Sequence, residues 1–396
     1  MSSRILYASV SAVLAAAALG CGDEAESPTS PATASPGPTM AAAAAALVFS
    51  QVSAYDAHTC GITTAGLAYC WGNGGFGELG NGTLDFSWTP SAVAGGHQFI
   101  QINSGSVVSC GVTTTRQAYC WGFQVGDGTE EKRLTPVPLM AGTQFLQIVS
   151  GEFHTCGVTF PDRRAFCWGD NQFGELGDGT TAYVRPSPVL VRGGHKWREI
   201  SLGRWHTCAV TTSDQAYCWG RNNDGQLGTG SNPANKLLPT PVKGGHAFRQ
   251  IDAGSDHTCA VTTDRHAFCW GQGKFGQIGD GKTARRYVPK AVAGGLTFDR
   301  VSAGGLHACA ETSTNRAYCW GYNGWGALGD GTTTQRLAPV PVTGNLVFSQ
   351  LSAGAFYTCG RTTAGAGYCW GQDDFGQLGD GTNSQFIPTP TPVSAP

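Results

Sequence analysis

The sequence predicts an all-β chain: a seven-bladed β-propeller of four-stranded antiparallel blades, with one disulfide inside each blade. Three observations lead there. Fourteen of the fifteen cysteines form seven pairs, Cys60 with Cys70, Cys110 with Cys120, Cys156 with Cys167, Cys208 with Cys218, Cys259 with Cys269, Cys309 with Cys319 and Cys359 with Cys369, with nine or ten residues between partners. An aromatic residue recurs about every fifty positions, at Phe49, Phe99, Phe145, Trp197, Phe248, Phe298 and Phe348. No stretch of 47–396 has helical length or periodicity, and 58 glycines point to many turns in a β-rich chain. Repetition around a ring leaves only short, protected sheet edges, whereas an open solenoid needs caps that are not seen here.

Each copy reads as four short strands. In the fifth they are Phe248 to Ala253, His257 to Thr262, Ala267 to Gly271 and the segment around Pro289 to Val292. In the first copy, setting Cys60 opposite Cys70 leaves Thr64, Ala65 and Gly66 as a three-residue loop, with Gly66 where a left-handed conformation is required. The corresponding Asp214, Asn315 and Gly365 also tolerate positive φ, so turn chemistry and cysteine pairing give one register. Facing strand positions meet the Cα separation a disulfide needs. The chain-entropy account assigns each such loop roughly 2.5 to 3 kcal/mol as an upper figure. The repeats are expected at 47–96, 97–142, 143–194, 195–245, 246–295, 296–345 and 346–396. The second is short, running Trp121-Gly-Phe-Gln-Val-Gly-Asp, which predicts a cut-back loop.

The ends of the chain suggest an address. Residues 1–21 carry Arg4, an apolar run from Ile5 to Leu19, then Gly20 and the unpaired Cys21, and together resemble a bacterial lipoprotein signal with Cys21 as the acylated residue. Ala18 departs from the leucine usual in that pattern. Residues 22–46, rich in Ser, Pro, Thr and Ala, read as a disordered tether. Paired cysteines are the habit of oxidising compartments. Charged residues are 13% of the chain and the net charge is -2, so no basic excess points to nucleic acid.

His206-Thr-Cys-Ala-Val-Thr, Ala216-Tyr-Cys-Trp-Gly220 and Asn223-Asp-Gly-Gln-Leu-Gly228 resemble the regulator of chromosome condensation repeat, and the likeness covers 47–396. The resemblance implies a seven-bladed β-propeller. It also implies precedents in nucleotide exchange on a small GTPase, light sensing and inhibition of a secreted bacterial enzyme. The cysteines depart from the family pattern, in which leucine and a small residue are usual, and look like an extracellular adaptation. Light sensing needs stacked tryptophans on one face, whereas Trp88, Trp197, Trp205 and Trp325 come from scattered copies.

Residues repeated in every copy belong to the scaffold. The Trp-Gly pairs at Trp71, Trp121, Trp168, Trp219, Trp270, Trp320 and Trp370 read as packing between blades. His58, His154, His206, His257 and His307 read as structural, since Val108 and Tyr357 replace them in two copies and a seven-fold ring is too wide for one ion. Asp127, Asp178, Asp280, Asp330 and Asp380 read as turn formers rather than calcium ligands. Positions where the copies disagree are more informative. Val107, Phe153, Trp205, Leu306 and Phe356, flanked by Arg204, Arg221 and Tyr322, are expected to surround the axis on one face as a candidate binding surface. No nucleophile elbow, metalloprotease motif or phosphate loop is present. No cofactor or metal is expected.

The leading expectation is therefore a non-enzymatic binding scaffold of the bacterial cell envelope. It would be exported, lipid-anchored and monomeric, and would recognise an extracellular protein or glycan. The first alternative is exchange on a small GTPase, set second because that partner is cytosolic. The other is a glycan-active enzyme in which Asp56, Glu152 and Asp256 converge.

Overall fold

A computed structural model of the chain describes residues 46–230 and 234–396. The first blade is an antiparallel meander of β1 (Phe49–Tyr55), β2 (His58–Thr63), β3 (Ala68–Gly72) and β4 (Ser87–Ala92), hydrogen-bonded in that order. Cys60 faces Cys70 across β2 and β3, and the two are bridged. The equivalent facing positions are bridged in the other six blades, joining Cys110 to Cys120, Cys156 to Cys167, Cys208 to Cys218, Cys259 to Cys269, Cys309 to Cys319 and Cys359 to Cys369. β2 is buried along its whole length because it lies inside the blade with neighbouring blades on both faces. One strand, Arg133–Ser150, runs on from the second blade into the third, fusing the two into a seven-stranded sheet. The second repeat carries Ala141-Gly142 where most copies have a glycine pair.

Blades stack through the two landmarks of the repeat. Each Trp of Trp-Gly is fully buried and its Nε1–H donates to a backbone carbonyl of the preceding blade, as in Trp121 to Glu78 at 2.9 Å and Trp219 to Glu175 at 2.9 Å. The last glycine of Gly-x-Leu-Gly lies flat against that indole. A Cβ on Gly177 would come within 2.7 Å of Trp219 Nε1, and its φ of +69° also favours glycine. The cut-back loop of the second blade, residues 123–132, keeps these contacts: Val125 is buried where other copies have leucine or, in the fifth, Ile278, and Gln124 offers its carbonyl to Trp168 at 3.2 Å.

The first strands of the blades line a central channel. There a glutamine acts as a side-chain clasp. Gln101 Nε2 donates to the Ile148 carbonyl at 2.8 Å, and its Oε1 accepts from the Ile148 N–H at 3.1 Å. Gln51, Gln147, Gln250 and Gln350 repeat the arrangement. The ring closes by the same bonds rather than by a strand exchanged between its ends. Gln350 clasps Val52, Phe49 N donates to the Gly365 carbonyl at 2.7 Å, and Trp71 Nε1 to Gln377 at 3.0 Å. Gly66, Asp214, Asn315 and Gly365 adopt positive φ, as do Arg116, Arg163 and Arg265 at the equivalent turns. In each turn that residue's carbonyl accepts the first aromatic N–H of the next blade, which explains why arginine tolerates the conformation there.

The repeated histidines also cross between blades. His58, His154, His206 and His307 bond a hydroxyl of the next blade through Nε2, at 2.8, 2.7, 2.9 and 2.8 Å. Burial lowers each to about 3. His257 lacks this bond, because Ala308 stands where its neighbours present Thr or Ser. Ala308→Thr is expected to supply the hydroxyl and stabilise the fold by about 1 kcal/mol. A lower urea midpoint for this variant would refute that assignment.

Candidate functional site

Every blade ties its first and third connections together. The carbonyl just before the position of the repeated histidine accepts the N–H that follows Trp-Gly. Examples are Val107 to Phe123 at 2.8 Å, Phe153 to Asp170 at 2.9 Å, Trp205 to Arg221 at 2.8 Å, Leu306 to Tyr322 at 3.0 Å and Phe356 to Gln372 at 3.1 Å. These bonds bring residues sixteen or seventeen apart in sequence to one face. They place Val107, Phe153, Arg204, Trp205, Arg221, Leu306, Tyr322 and Phe356 at the same mouth of the channel.

None of the eight is fully exposed and none is fully buried. Two aromatic clusters form. Phe153 stacks on Trp205 with centroids 4.1 Å apart, and Phe173 meets the same indole edge-on at 5.4 Å. Tyr322 contacts Phe275 at 5.4 Å and Phe356 at 6.0 Å, both edge-to-face. Val107 and Leu306 contribute their backbone carbonyls but join neither cluster of rings. A third contact brings Phe76 to Phe123, with centroids 6.2 Å apart. Its signal is the phenylalanine directly after Trp121-Gly122, which the short loop leaves beside the first blade.

Charges frame the first cluster. Arg204 Nε bonds Glu152 at 2.7 Å, Arg221 Nη1 bonds Asp256 at 3.0 Å, and Ser106 Oγ donates to Asp56 at 2.7 Å. Desolvation raises the carboxyls of Glu152 and Asp256, and their arginines oppose the rise. Asp56, Glu152 and Asp256 do share a mouth, as the glycan-active reading requires. Each is engaged by a neighbour, however, and Glu152 and Asp256 by a guanidinium, which leaves no carboxyl pair set out as separate acid and nucleophile. The carboxylates of these pairs are largely buried, and the pairs tie the loop of Phe153 to that of Trp205 and Arg221 to the loop of Asp256.

Other candidates resolve into scaffold. In the Asp-Gly-Thr turns Asp127, Asp178, Asp330 and Asp380 accept the N–H and hydroxyl of the threonine two residues on, and Asp280 accepts Lys282 N. Asp127, Asp280 and Asp330 also hold Arg133, Arg286 and Arg336. Among the described residues no group of three His, Cys, Asp or Glu side chains is arranged to hold a metal ion.

Comparison with known proteins gives these features a context. Residues 15–297 and 123–396 match the RCC1-like domain. The ultraviolet-B receptor UVR8 of Arabidopsis thaliana is 35% identical over 31% of this chain and 28% of its own length. The human probable E3 ubiquitin-protein ligase HERC4 is 34% identical over 30% of this chain and 12% of its own. The chain thus spans less than a third of either relative. Saccharomyces cerevisiae Prp20p, whose structure is described with its binding to Gsp1p and histones, superposes with a TM-score of 0.74 at 18% identity, over 88% of this chain and 87% of that one. At that identity the likeness concerns the fold.

These relatives correct the expected address and role. They are intracellular eukaryotic proteins, which overturns the reading as a bacterial exported lipoprotein with a signal peptide and an extracytoplasmic location. They likewise overturn the lipid-anchored monomer and the unknown extracellular protein or glycan as partner. Cys21 lies outside the described residues. The physical reason the cysteines misled is their burial: all fourteen in the blades, from Cys60 and Cys70 to Cys359 and Cys369, are fully enclosed. Strand register decides which of them meet, and carries no address.

Proposed function

Because the chain belongs to the RCC1-like domain family, we propose that it is a protein-binding propeller that engages a Ran-type small GTPase through its aromatic face and speeds release of the bound guanine nucleotide. The observation that carries this reading is the pair of half-buried aromatic clusters, around Trp205 and around Tyr322, on a face otherwise built from scaffold. Large rigid rings beside guanidinium groups are the side chains that dominate protein–protein contacts. The role is not enzymatic in the covalent sense. Exchange makes and breaks no bond within the nucleotide, and needs only that the propeller bind the nucleotide-free GTPase more tightly than the loaded one.

In this reading Trp205 and Phe153 form the anchor, and Arg204 with Glu152 keeps that loop from collapsing into the channel. Phe356 and Tyr322 supply a second contact across the mouth. The test uses the full chain and a Ran-type GTPase, Gsp1p, loaded with a fluorescent GDP analogue. A rise of at least about tenfold in the release rate is expected. Trp205→Ala is expected to remove most of it, since an anchoring residue is worth about 2 kcal/mol, or roughly thirtyfold. The melting temperature should stay near that of the parent. Release at the intrinsic rate with the parent protein would sink the proposal.

A further inference from the structure

At the mouth of the channel opposite the aromatic face the repeat changes in the fourth, sixth and seventh copies. At the clasp position five copies carry glutamine, Gln51, Gln101, Gln147, Gln250 and Gln350, whereas the fourth carries Glu199, which still accepts the N–H of Ile251, and the sixth carries Arg300. At the position of Ile62 the copies read Val112, Val158, Val210 and Val261, then Glu311 and Arg361. Arg300, Glu311 and Arg361 all line one cavity of about 500 Å³, which Arg249 and Asp299 also border.

Scaffold needs account for one of the three. Glu311 Oε1 accepts the N–H of Leu351, the bond that the missing glutamine would have made, and burial pushes its carboxyl up to about 7. Asp299 is shared by Arg249 at 3.5 Å and Arg265 at 3.3 Å, so one carboxylate answers two guanidiniums. Arg300 is exposed and forms no ion pair within 4 Å among the described residues, although it lies near enough to the Glu199 and Glu311 carboxyls to oppose the rise that burial gives both. Arg361 places Nη1 3.4 Å from the Phe49 carbonyl, while its Nε is buried without a partner. An unpaired buried guanidinium N–H is unfavourable, and a bound acceptor would satisfy it.

From this we infer that the channel mouth opposite the aromatic face is a site for a phosphate dianion, held by Arg300 and Arg361 with Arg249 at its edge. The lining sets Arg249, Arg300 and Arg361 against Asp299 and Glu311, an excess of two while Glu311 keeps its proton, which a dianion matches and a monocarboxylate does not, and guanidinium forks suit phosphate oxygens. Asn315 lines the same cavity and offers its side-chain amide, while the Ser50 and Ser349 hydroxyls donate to backbone carbonyls. Its volume leaves room for the alcohol portion of a phosphomonoester.

The test is isothermal titration of the full chain with inorganic phosphate, with glycerol 1-phosphate and with acetate, in chloride buffer of constant ionic strength. Saturable binding of phosphate, absent for acetate and weakened about tenfold or more in Arg300→Ala, is the expected result. Arg300 is exposed, so this variant keeps the fold, which circular dichroism checks. If glycerol 1-phosphate binds as well as or better than phosphate, the occupant is a phosphomonoester; if more weakly, the site takes the free ion. No saturation with phosphate, equal binding of acetate, or an unchanged constant in Arg300→Ala would each overturn the inference.

Discussion

Trp219→Ala is expected to lower the stability of the propeller by about 3–5 kcal/mol, the range for emptying a large buried aromatic site. The indole is fully buried, touches Trp197 at 5.7 Å and fills the space above Gly177. The loss is mainly packing. The Glu175 carbonyl that Trp219 serves also accepts the Thr207 hydroxyl at 2.7 Å, so removing the indole leaves no orphaned acceptor. Because the ring is closed, each blade has two neighbours, and one loosened junction weakens the whole circle rather than releasing an end. Urea denaturation measures the effect. A loss below about 1 kcal/mol would mean that blade stacking rests elsewhere, since surface-like substitutions fall in that range.

Glu78→Gln combined with Glu175→Gln is expected to stabilise the protein strongly at pH 8 and hardly at all at pH 4.5. Both carboxyls are fully buried, and burial raises each to about 7. One oxygen of each accepts a backbone N–H, from Phe76 at 2.6 Å and Phe173 at 2.7 Å, while the other has no partner. Three other blades place Gln226, Gln277 and Gln377 at this position, and their amide oxygens accept the same N–H at 3.0, 2.9 and 2.9 Å. The neutral acid therefore imitates glutamine.

The folded state keeps a proton that the unfolded chain releases from about pH 4.5 upward. Stability from these groups is whole below pH 4.5, falls as pH rises and is lost above about 7, by on the order of 3 kcal/mol each at most. The buried histidines act in the other direction. Their folded values of about 3, and about 4 for His257, make stability fall as pH drops from 6.5. The parent should therefore be most stable between about pH 4.5 and 6.5, and the double variant should extend that range upward. Urea midpoints at pH 4.5 and 8 decide it, and equal midpoints for parent and variant at pH 8 would show that burial raises neither carboxyl.

Local rules made much of the fold legible in the chain. Cysteines ten apart around Gly66 or Asp214 specify a hairpin and its register together, because alternation along a strand and the left-handed turn both depend on near neighbours. Repetition of Trp-Gly and Gly-x-Leu-Gly then implied a ring. The same spacing gathered Trp205, Phe153 and Phe356 on one face, since in a meander alternate connections emerge together.

Near-neighbour patterns along the chain thus specify the blade: its four strands, its cysteine bridge and the face from which its loops emerge. How one blade joins the next becomes visible only when the repeats are stacked. The Gln101 clasp on Ile148, the hydroxyl that four of the histidines find and the carbonyl that Arg265 turns towards Phe298 link residues about thirty to fifty apart, or about three hundred at the closure. Such contacts leave no local pattern, because their partners meet only when separate repeats are stacked. For the same reason Arg300, Glu311 and Arg361, each an isolated oddity in its own copy, form one basic pocket only in the assembled ring.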